Sequence, residues 1–246
     1  MSDDIRVFIG SSSMGEDKDI EKVYVNSILE NASRDVDIFF MRQTMDKDSF
    51  WYNNASSKWS TPFSGYRWYI PEACEFKGRA IYTDCDMINF RDMKELWETD
   101  LQGKAIGARR GTRFGGHEFC VMVIDCAKMK DLVIPKERLM KMSETHQRYI
   151  GMFSGNPNLV HDLDPRWNVL DGENLKFEEM YQLHYTNMAT QPWKPEWYTG
   201  QPKEHPRKDV VDKYYEVLAE AKLKGYKPYE PGRDYPTLKE YNVIGR

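Results

Sequence analysis

Short apolar runs recur along the chain, each bounded by glycine, proline or polar residues. Their length and their β-branched and aromatic content are typical of buried strands. Such runs predict strands at residues 5–9, 36–40, 79–83, 104–108, 118–125 and 182–186. Apolar residues at helical spacing predict helices near residues 20–32, 63–74, 92–97 and 209–224, with more helical material between 127 and 148. Residues 42–61 and 156–168 predict loops and turns. Strands that alternate with helices indicate an α/β fold.

The first strand, the first helix and the second strand follow one another directly. Such a unit pairs its strands in parallel, because the helix carries the chain back across the sheet. The loop at residues 10–15 and the end of the 79–83 strand then open at one edge, where open α/β sheets bind ligands. This loop has neither the G-x-G-x-x-G fingerprint nor the Gly-Lys-Ser/Thr of a P-loop, so a nucleotide there would be held by backbone contacts.

Two aspartates follow the 79–83 strand. Because side chains alternate along an extended chain, Asp84 and Asp86 project on one side, away from Cys85, and can hold a hard cation between them. The chain contains five D-x-D triplets, so the spacing alone does not select this pair. The Asp84/Asp86 pair is distinguished by its position, because it follows an apolar strand and precedes the 92–97 helix. The alternative is an aspartate cap and turn that leads into that helix.

Other charged residues near this edge have two interpretations each. Arg67 either reaches a diphosphate or forms a structural ion pair with Glu72 or Glu75. The basic, glycine-rich segment 109–116, with arginines at positions 109, 110 and 113, is either a phosphate loop or a solvated turn. His184 lies in a predicted strand, where a lone histidine is more often a core residue than a ligand.

Prolines recur after residue 191 and mark the end of the compact part of the chain. We therefore predict a domain at residues 1–197 and a Pro-rich linker with a helical extension at residues 198–246. The helix at residues 209–224 has an apolar stripe along one side. This stripe predicts docking on the domain or on a second copy of the chain, which makes a homo-oligomer through residues 209–224 one candidate assembly.

Composition narrows the class of protein. The 246 residues are 40% hydrophobic and carry a net charge of −4 without a basic run, so the sequence lacks the electrostatic footprint of a nucleic-acid-binding protein. The four cysteines form no C-x-x-C pair and suit a reducing compartment. No segment has the roughly 20 apolar residues that a membrane span needs. These features predict a cytoplasmic protein without a membrane anchor.

Four segments, in this order, resemble nucleotide-sugar glycosyltransferases of the GT-A fold, most closely the glycogenin-like and bacterial galactosyltransferase-like group, family eight. They are residues 5–10; Phe63-Ser-Gly-Tyr-Arg-Trp-Tyr-Ile-Pro71 with Arg79-Ala-Ile-Tyr-Thr-Asp-Cys-Asp86; Val121-Met-Val-Ile-Asp125; and Leu163-Asp-Pro-Arg-Trp-Asn168 with Leu183-His-Tyr-Thr186 and Pro192-Trp193. The resemblance covers residues 5–197. It implies a single Rossmann-like domain with a mixed, mainly parallel central sheet, followed by the helical extension.

The resemblance also implies a site. It places Mn²⁺ or Mg²⁺ on Asp84, Asp86 and His184, where the ion holds the diphosphate of a UDP-sugar. Arg67 corresponds to the family's helix arginine, near the donor sugar and diphosphate, so Arg67, Asp84 and Asp86 are the implied catalytic residues. Carboxylates and an imidazole suit such an ion, which acts as a Lewis acid on the departing nucleotide diphosphate.

The remaining implied donor contacts are Ile9, Gly10 and Ser11 along the nucleotide, with Cys85 and Lys194. The family's late motif often reads His-x-x-Gly-x-x-Lys-Pro-Trp. Here Asn187 replaces the glycine, one residue is inserted and no lysine precedes Pro192. Lys194 or the arginines at 109, 110 and 113 are the candidates for the missing positive charge.

The resemblance implies transfer of glucose or galactose from a UDP-sugar with retention, without an obligatory protein nucleophile. The acceptor stays open between a glycan, a lipid, a protein and a modified base, with Trp51, Trp59 and Trp167 as candidates for a sugar-stacking rim. Two other functions compete with this one. They are a non-catalytic sugar- or nucleotide-binding or assembly module, and a metal-dependent nucleotidyltransferase, which would normally carry a lysine in its N-terminal loop.

Overall fold

The computed structural model describes residues 5–12, 17–45, 47–52, 61, 63–111, 116–139, 145–194 and 199–224. Within these ranges the chain forms nine strands and six α-helices. The strands are β1 (Ile5–Gly10), β2 (Val36–Met41), β3 (Arg79–Asp84), β4 (Met87–Asn89), β5 (Ile106–Arg110), β6 (His117–Asp125), β7 (Val160–Leu163), β8 (Val169–Leu170) and β9 (Gln182–His184). The helices are α1 (Lys18–Glu30), α2 (Ile70–Ala73), α3 (Met93–Trp97), α4 (Lys136–Leu139), α5 (Thr145–Phe153) and α6 (Lys208–Leu223).

Six strands form the central sheet, in the order β2-β1-β3-β6-β5-β7. Strand β1 pairs in parallel with β2 and β3, and β5 pairs in parallel with β7, whereas β6 is antiparallel to both of its neighbours. All strands of this sheet except β6 therefore run in one direction. This arrangement confirms the predicted mixed, mainly parallel sheet, and the β1–α1–β2 unit is parallel as predicted.

The core is built around the three central strands β1, β3 and β6. Val7, Ile81 and Val123, one from each strand, are fully buried. Helices and loops cover both faces of these strands, so the strands have near-continuous apolar runs rather than an alternation of apolar and polar residues. Such runs are the pattern from which these strands were predicted.

The candidate site lies at the edge where β1 and β3 end. Gly10 and Asp84 are neighbours in the parallel β1/β3 ladder. Strand β6 runs the opposite way, so it contributes its first residues to the same edge. A Cβ atom at Gly10 would lie 2.5 Å from the ring of Phe63, which means that any side chain would displace this ring from the end of β1.

A second sheet, β4-β9-β8, explains how distant parts of the sequence meet beside Asp84. Strands β4 and β9 are antiparallel, and Met87 pairs with His184. The backbone N–H of Tyr185 donates to the carbonyl oxygen of Asp86 at 2.9 Å. These backbone contacts fix residue 184 beside residue 86, although almost a hundred residues separate them in the sequence.

Helix α6 packs against the domain along α1. Most side chains of its predicted apolar stripe are buried, namely Val210, Tyr214, Val217, Leu218 and Ala221, and Lys222 forms an ion pair with Asp19 at 3.1 Å. An interface between copies through residues 209–224 stays a prediction and would have to use the opposite, polar face of the helix. Among the described residues, every helix is too short or too polar to cross a bilayer.

The structure differs from the predicted elements at several places, and the short strands β4 and β8 were not predicted. The 63–74 helix begins as a 3-10 turn at Tyr66–Tyr69 and continues as α2. Residues 109 and 110 belong to β5 rather than to a loop. The 156–168 segment contains β7, whose sequence Val-His-Asp-Leu is apolar only at its two ends and gave no strand signal. Residues 13–16, 59, 113, 142 and 226–246 lie outside the described part of the chain.

Candidate active site

Asp84 ends β3 and is held by two side chains. Its Oδ1 atom accepts hydrogen bonds from the Tyr82 hydroxyl and from Nη2 of Arg67, the latter at 3.1 Å. Arg67 also donates to the backbone carbonyls of Ser64, at 2.8 Å, and Phe119. Each guanidinium nitrogen of Arg67 thus has a partner within the chain. The structural alternative, an ion pair of Arg67 with Glu72 or Glu75, is therefore wrong, because the carboxylate that pairs with Arg67 is that of Asp84.

Asp86 faces His184 across the β4/β9 pairing. The Oδ1 atom of Asp86 lies 3.3 Å from Nε2 of His184, and its Oδ2 atom accepts from the Gln191 amide at 3.3 Å. His184 is buried, which opposes its charged form, but the neighbouring Asp86 carboxylate outweighs this effect and raises the pKa of His184. This electrostatic environment, which favours a positive charge next to Asp86, would also favour a metal ion.

Cys120 is a fourth potential ligand, which the sequence did not indicate. Thr83 pairs with Val121 in the antiparallel β3/β6 ladder, so the next position along places Cys120 beside Asp84. One potential ligand atom from each of Asp84, Cys120 and His184 lies within 4.8 Å of the other two. Burial, reinforced by the Asp84 carboxylate, raises the pKa of the Cys120 thiol, which keeps it protonated until a metal ion displaces the proton.

These residues fit a divalent cation. The Oδ1 atom of Asp86 is buried, and Nε2 of His184, 3.3 Å away, does not reach hydrogen-bond geometry with it, so this oxygen accepts no hydrogen bond from the described residues. A buried carboxylate oxygen without a partner is costly, and a cation would remove that cost. Carboxylate oxygens with one imidazole suit Mn²⁺ or Mg²⁺, whereas the nearby thiol adds affinity for softer ions. The structure thus places Asp84 in one group with Cys120 and His184, and it places Asp86 beside His184, so His184 lies near both aspartates that the resemblance implied.

Of the residues predicted to contact the nucleotide, one has its side chain in the core, and the others lie at the end of β1 or beside the loop that follows it. Ile9 is fully buried within the sheet, so its side chain belongs to the core rather than to the cleft. Gly10 and Ser11 lie at the strand end, where the Ser11 hydroxyl donates to Glu21. Cys85 is buried, with its Sγ atom 3.8 Å from Oδ2 of Asp17, on the side of the loop that follows β1.

The loop after β1 is supported by buried charges. The backbone N–H of Ser12 donates to Asp17 at 2.8 Å, and Arg42 pairs with Glu21 at 2.6 Å. Burial raises the pKa of Glu21, although the nearby Arg42 opposes this effect. A buried pair of this kind fixes geometry more than it adds stability. These contacts join Ser12 and Asp17, the described residues on either side of positions 13–16, near the carboxyl end of β1.

Two of the arginines considered as phosphate ligands, Arg109 and Arg110, form ion pairs with carboxylates of the protein. Arg109 is buried in β5 and bonds to the Glu173 carboxylate, while Arg110 forms an ion pair with Asp162 at 2.9 Å. These contacts contradict a free phosphate loop at residues 109 and 110. Lys194 is exposed and donates to the carbonyl oxygen of Gln191, the residue whose side chain contacts Asp86. Lys194 is therefore near the site but does not contact the two aspartates.

Of the three tryptophans predicted to form a sugar-stacking rim, the two that the structure describes, Trp51 and Trp167, pack against other aromatic residues of the chain. Trp51 packs edge-on against Phe50, and Trp167 packs in the same way against Tyr181. Both tryptophans are buried. Their rings cover the edge of the core, which is the ordinary role of an aromatic residue in a loop.

Sequence comparison identifies a family. The family model described as Glycosyl transferase family 8 matches residues 17–213, well over half of the chain. This span contains Arg67, Asp84, Asp86, Cys120 and His184. No curated protein matches the sequence.

Several solved structures share the fold. The galactosyltransferase LgtC, solved with donor and acceptor sugar analogues, has a TM-score of 0.58 at 12% identity, with 88% of this chain and 96% of that chain covered. GlyE of Streptococcus pneumoniae TIGR4 has a TM-score of 0.61 at 17% identity, covering 90% and 64%. The bifunctional glycosyltransferase WbbM has a TM-score of 0.60 at 13% identity, covering 89% and 50%. The chain thus spans half the length of WbbM and about two thirds of GlyE, and at these identities the likeness establishes the GT-A fold alone.

Proposed function

The chain belongs to glycosyl transferase family 8, and from this we propose that it transfers a hexose, glucose or galactose, from a UDP-sugar to an acceptor hydroxyl in a reaction that depends on Mn²⁺ or Mg²⁺. The observation that supports the proposal is that His184 lies near both Asp84 and Asp86 at the carboxyl edge of the sheet, with a buried Asp86 oxygen that accepts no hydrogen bond from the described residues. This edge is where open α/β sheets bind nucleotides.

The metal ligands in this proposal are Asp84, Asp86 and His184. When bound, the ion supplies Lewis-acid stabilisation of the charge that develops on the departing diphosphate. The protein contributes the geometry. Gln191 orients Asp86 through its 3.3 Å hydrogen bond, and Arg67 orients Asp84 through its 3.1 Å contact. Preorganised charges of this kind require little reorganisation during the reaction.

Arg67 acts in this proposal as a positioning residue for Asp84. Three of its five N–H donors are directed at Ser64, Phe119 and Asp84, and its guanidinium lies 4.4 Å from the centroid of the Tyr82 ring. A direct contact of Arg67 with the donor sugar would have to use one of the two remaining N–H groups, on Nη1 or Nη2. The nucleotide would then contact Gly10 and the backbone of the loop after β1.

We further propose that the transfer retains configuration at the anomeric carbon. The acceptor hydroxyl attacks this carbon from the face that the diphosphate leaves. The bond from the anomeric carbon to the diphosphate oxygen breaks as the new glycosidic bond forms, and the hydroxyl proton passes to the departing diphosphate. This route needs positioning and electrostatics from the protein rather than a covalent intermediate.

Release of UDP from a panel of UDP-sugars tests the proposed function. Slow hydrolysis of the donor does not require the acceptor, so it can be assayed with the chain alone. We expect release from one UDP-hexose in the presence of Mn²⁺ or Mg²⁺, and loss of this release when a chelator removes the ion. A chain that binds UDP but releases none from any UDP-sugar would support the non-catalytic binding module instead. A chain that neither binds UDP nor turns over a UDP-sugar would contradict the proposed substrate.

The position of Cys120 predicts that thiophilic ions compete with Mn²⁺. Because its thiol lies beside Asp84 and His184, Zn²⁺ or Co²⁺ would gain a sulfur ligand that Mn²⁺ uses poorly. With Co²⁺ we expect a near-ultraviolet thiolate-to-metal charge-transfer band, and we expect Cys120→Ser to remove the band while Mn²⁺ affinity changes little. Cys126→Ser is the matched control, because Cys126 is a buried free cysteine that directly follows the opposite end of β6. A band that persists in Cys120→Ser would contradict the prediction.

A further inference from the structure

Asn168 holds the imidazole of His184 through its side-chain amide. The Oδ1 atom of Asn168 lies 2.9 Å from Nδ1 of His184, and its Nδ2 atom donates to Oε2 of Glu118 at 3.3 Å. A carboxylate can only accept, so Glu118 determines which end of the amide faces it. The amide oxygen must then face His184, and Nδ1 of His184 must carry the proton.

This protonation state decides what His184 can offer to a cation. In the neutral imidazole only one nitrogen has a free lone pair, and a proton on Nδ1 leaves that lone pair on Nε2. The Nε2 atom is the one that lies 3.3 Å from Oδ1 of Asp86. If the amide of Asn168 were rotated by half a turn, its N–H groups would face Nδ1, the proton would move to Nε2, and the ligand position would be blocked.

The surroundings of Asn168 prevent that rotation. Asn168 is 1% exposed and ends the short 3-10 turn Pro165–Asn168, where the Asp164 carboxylate accepts from the backbone N–H of Arg166 at 3.0 Å. Its backbone carbonyl accepts from Nη1 of Arg109, and Nε of Arg109 lies 3.9 Å from Glu118. Arg109 therefore bonds to the backbone of Asn168, and its positive charge lies close to the carboxylate that orients the Asn168 amide.

We infer that Asn168, oriented by Glu118 and Arg109, is a positioning residue that sets the tautomer of His184 so that Nε2 faces the cation. The inference rests on the proposed function, since it concerns the same metal site. The inference also gives a role to Arg109, whose guanidinium interacts with groups of the protein rather than with a phosphate. Partners that orient a metal-binding histidine in this way typically change metal affinity by 10- to 100-fold when they are removed.

Titration with Mn²⁺ in the absence of nucleotide tests the inference. The free-ion signal in electron paramagnetic resonance gives the dissociation constant without any turnover. We expect Asn168→Leu, which removes both amide contacts at similar size, to weaken Mn²⁺ binding by about 10- to 100-fold. We expect the double variant N168D/E118Q to recover most of the affinity, because it restores an acceptor for Nδ1–H and replaces the second carboxylate by an amide donor.

Asn89→Leu is the matched control, because Asn89 is as deeply buried, at 1% exposed, and lies at the far end of the β4/β9 pairing. It should lower the melting temperature without changing the dissociation constant. Unchanged Mn²⁺ affinity in Asn168→Leu would overturn the inference and leave the proposed function standing. Failure of the unmodified chain to bind Mn²⁺, with or without UDP, would overturn both.

A measurement on the unmodified chain covers the case in which Asn168→Leu does not fold. Nuclear magnetic resonance of ¹⁵N-histidine-labelled chain saturated with Mg²⁺ reports which ring nitrogen carries the proton. We expect the His184 signal, assigned by its loss in His184→Gln, to show a protonated Nδ1. A proton on Nε2 in the metal-bound chain would overturn the inference.

Discussion

Replacing Asp86 by asparagine is expected to reduce metal-dependent release of UDP by about 10³-fold, which corresponds to the several kcal/mol that a Lewis-acid metal contributes to a transition state. The substitution keeps the shape of the side chain and its acceptor for the Gln191 amide. It removes the charged, unpartnered oxygen that lies 3.3 Å from His184. The measurement is the initial rate of UDP release at saturating UDP-sugar over a range of Mn²⁺ concentrations.

Asp35→Asn is the control for the loss of one aspartate from a D-x-D triplet. Asp35 is exposed and precedes β2, so it lies at the amino ends of the strands, away from the site. The control should retain the rate of the unmodified chain. Both variants should unfold at nearly the same denaturant concentration as the unmodified chain. An Asp86→Asn variant with the unmodified rate would remove Asp86 from the metal site and with it the central observation behind the proposed function.

The strands at the centre of the fold were predictable from sequence because their environment is simple. Strands β1 and β3 are covered on both faces, so each is an almost unbroken apolar run, and the end of such a run is easy to locate. Asp84 and Asp86 were predicted as a metal-binding pair because they stand at the end of the apolar run of β3. Strands β4 and β8 have three and two residues, too few for any periodic signal, so the second sheet could not be predicted.

The rest of the site depends on contacts that sequence does not encode locally. Cys120 lies beside Asp84 only because β6 is antiparallel to β3 in one particular register, and a shift by one residue would turn its side chain to the other face. His184 came from the family resemblance rather than from its own surroundings. Asn168 belongs to a segment quoted for that resemblance, yet its role depends on Glu118, which is fifty residues away.

Arg109 and Arg67 show why charge patterns alone mislead. A basic, glycine-rich segment predicts a solvated or phosphate-binding loop, but Arg109 is a strand residue whose partners Glu118 and Glu173 come from other elements. For Arg67 the prediction of a structural ion pair was correct in kind and wrong in partner, because the nearest acids in sequence are not the nearest in space. In both cases a buried guanidinium requires an acid, and tertiary structure decides which acid it is.

Replacing Arg67 by methionine is expected to lower the free energy of unfolding by about 3–5 kcal/mol, the usual cost of removing one partner from a buried ion pair. The guanidinium is 6% exposed and the Asp84 side chain 12%, so water cannot replace the lost partner. Methionine fills most of the volume but leaves Asp84 with only the Tyr82 hydroxyl as a donor among the contacts described above. The measurement is urea unfolding of the metal-free chain.

Two comparisons separate the ion pair from a general packing defect. Arg110→Met removes a pair whose side chains are 56% and 51% exposed, so it should cost less than about 1 kcal/mol. In R67M/D84N the unpaired carboxylate is gone, and stability should rise above that of R67M, with a non-additive coupling as expected for contacting residues. Added Mn²⁺ should also stabilise R67M, because a bound cation supplies the charge that Arg67 gave to Asp84. If D84N and Mn²⁺ both fail to recover stability in R67M, the loss comes from packing, and Arg67 does not act through Asp84.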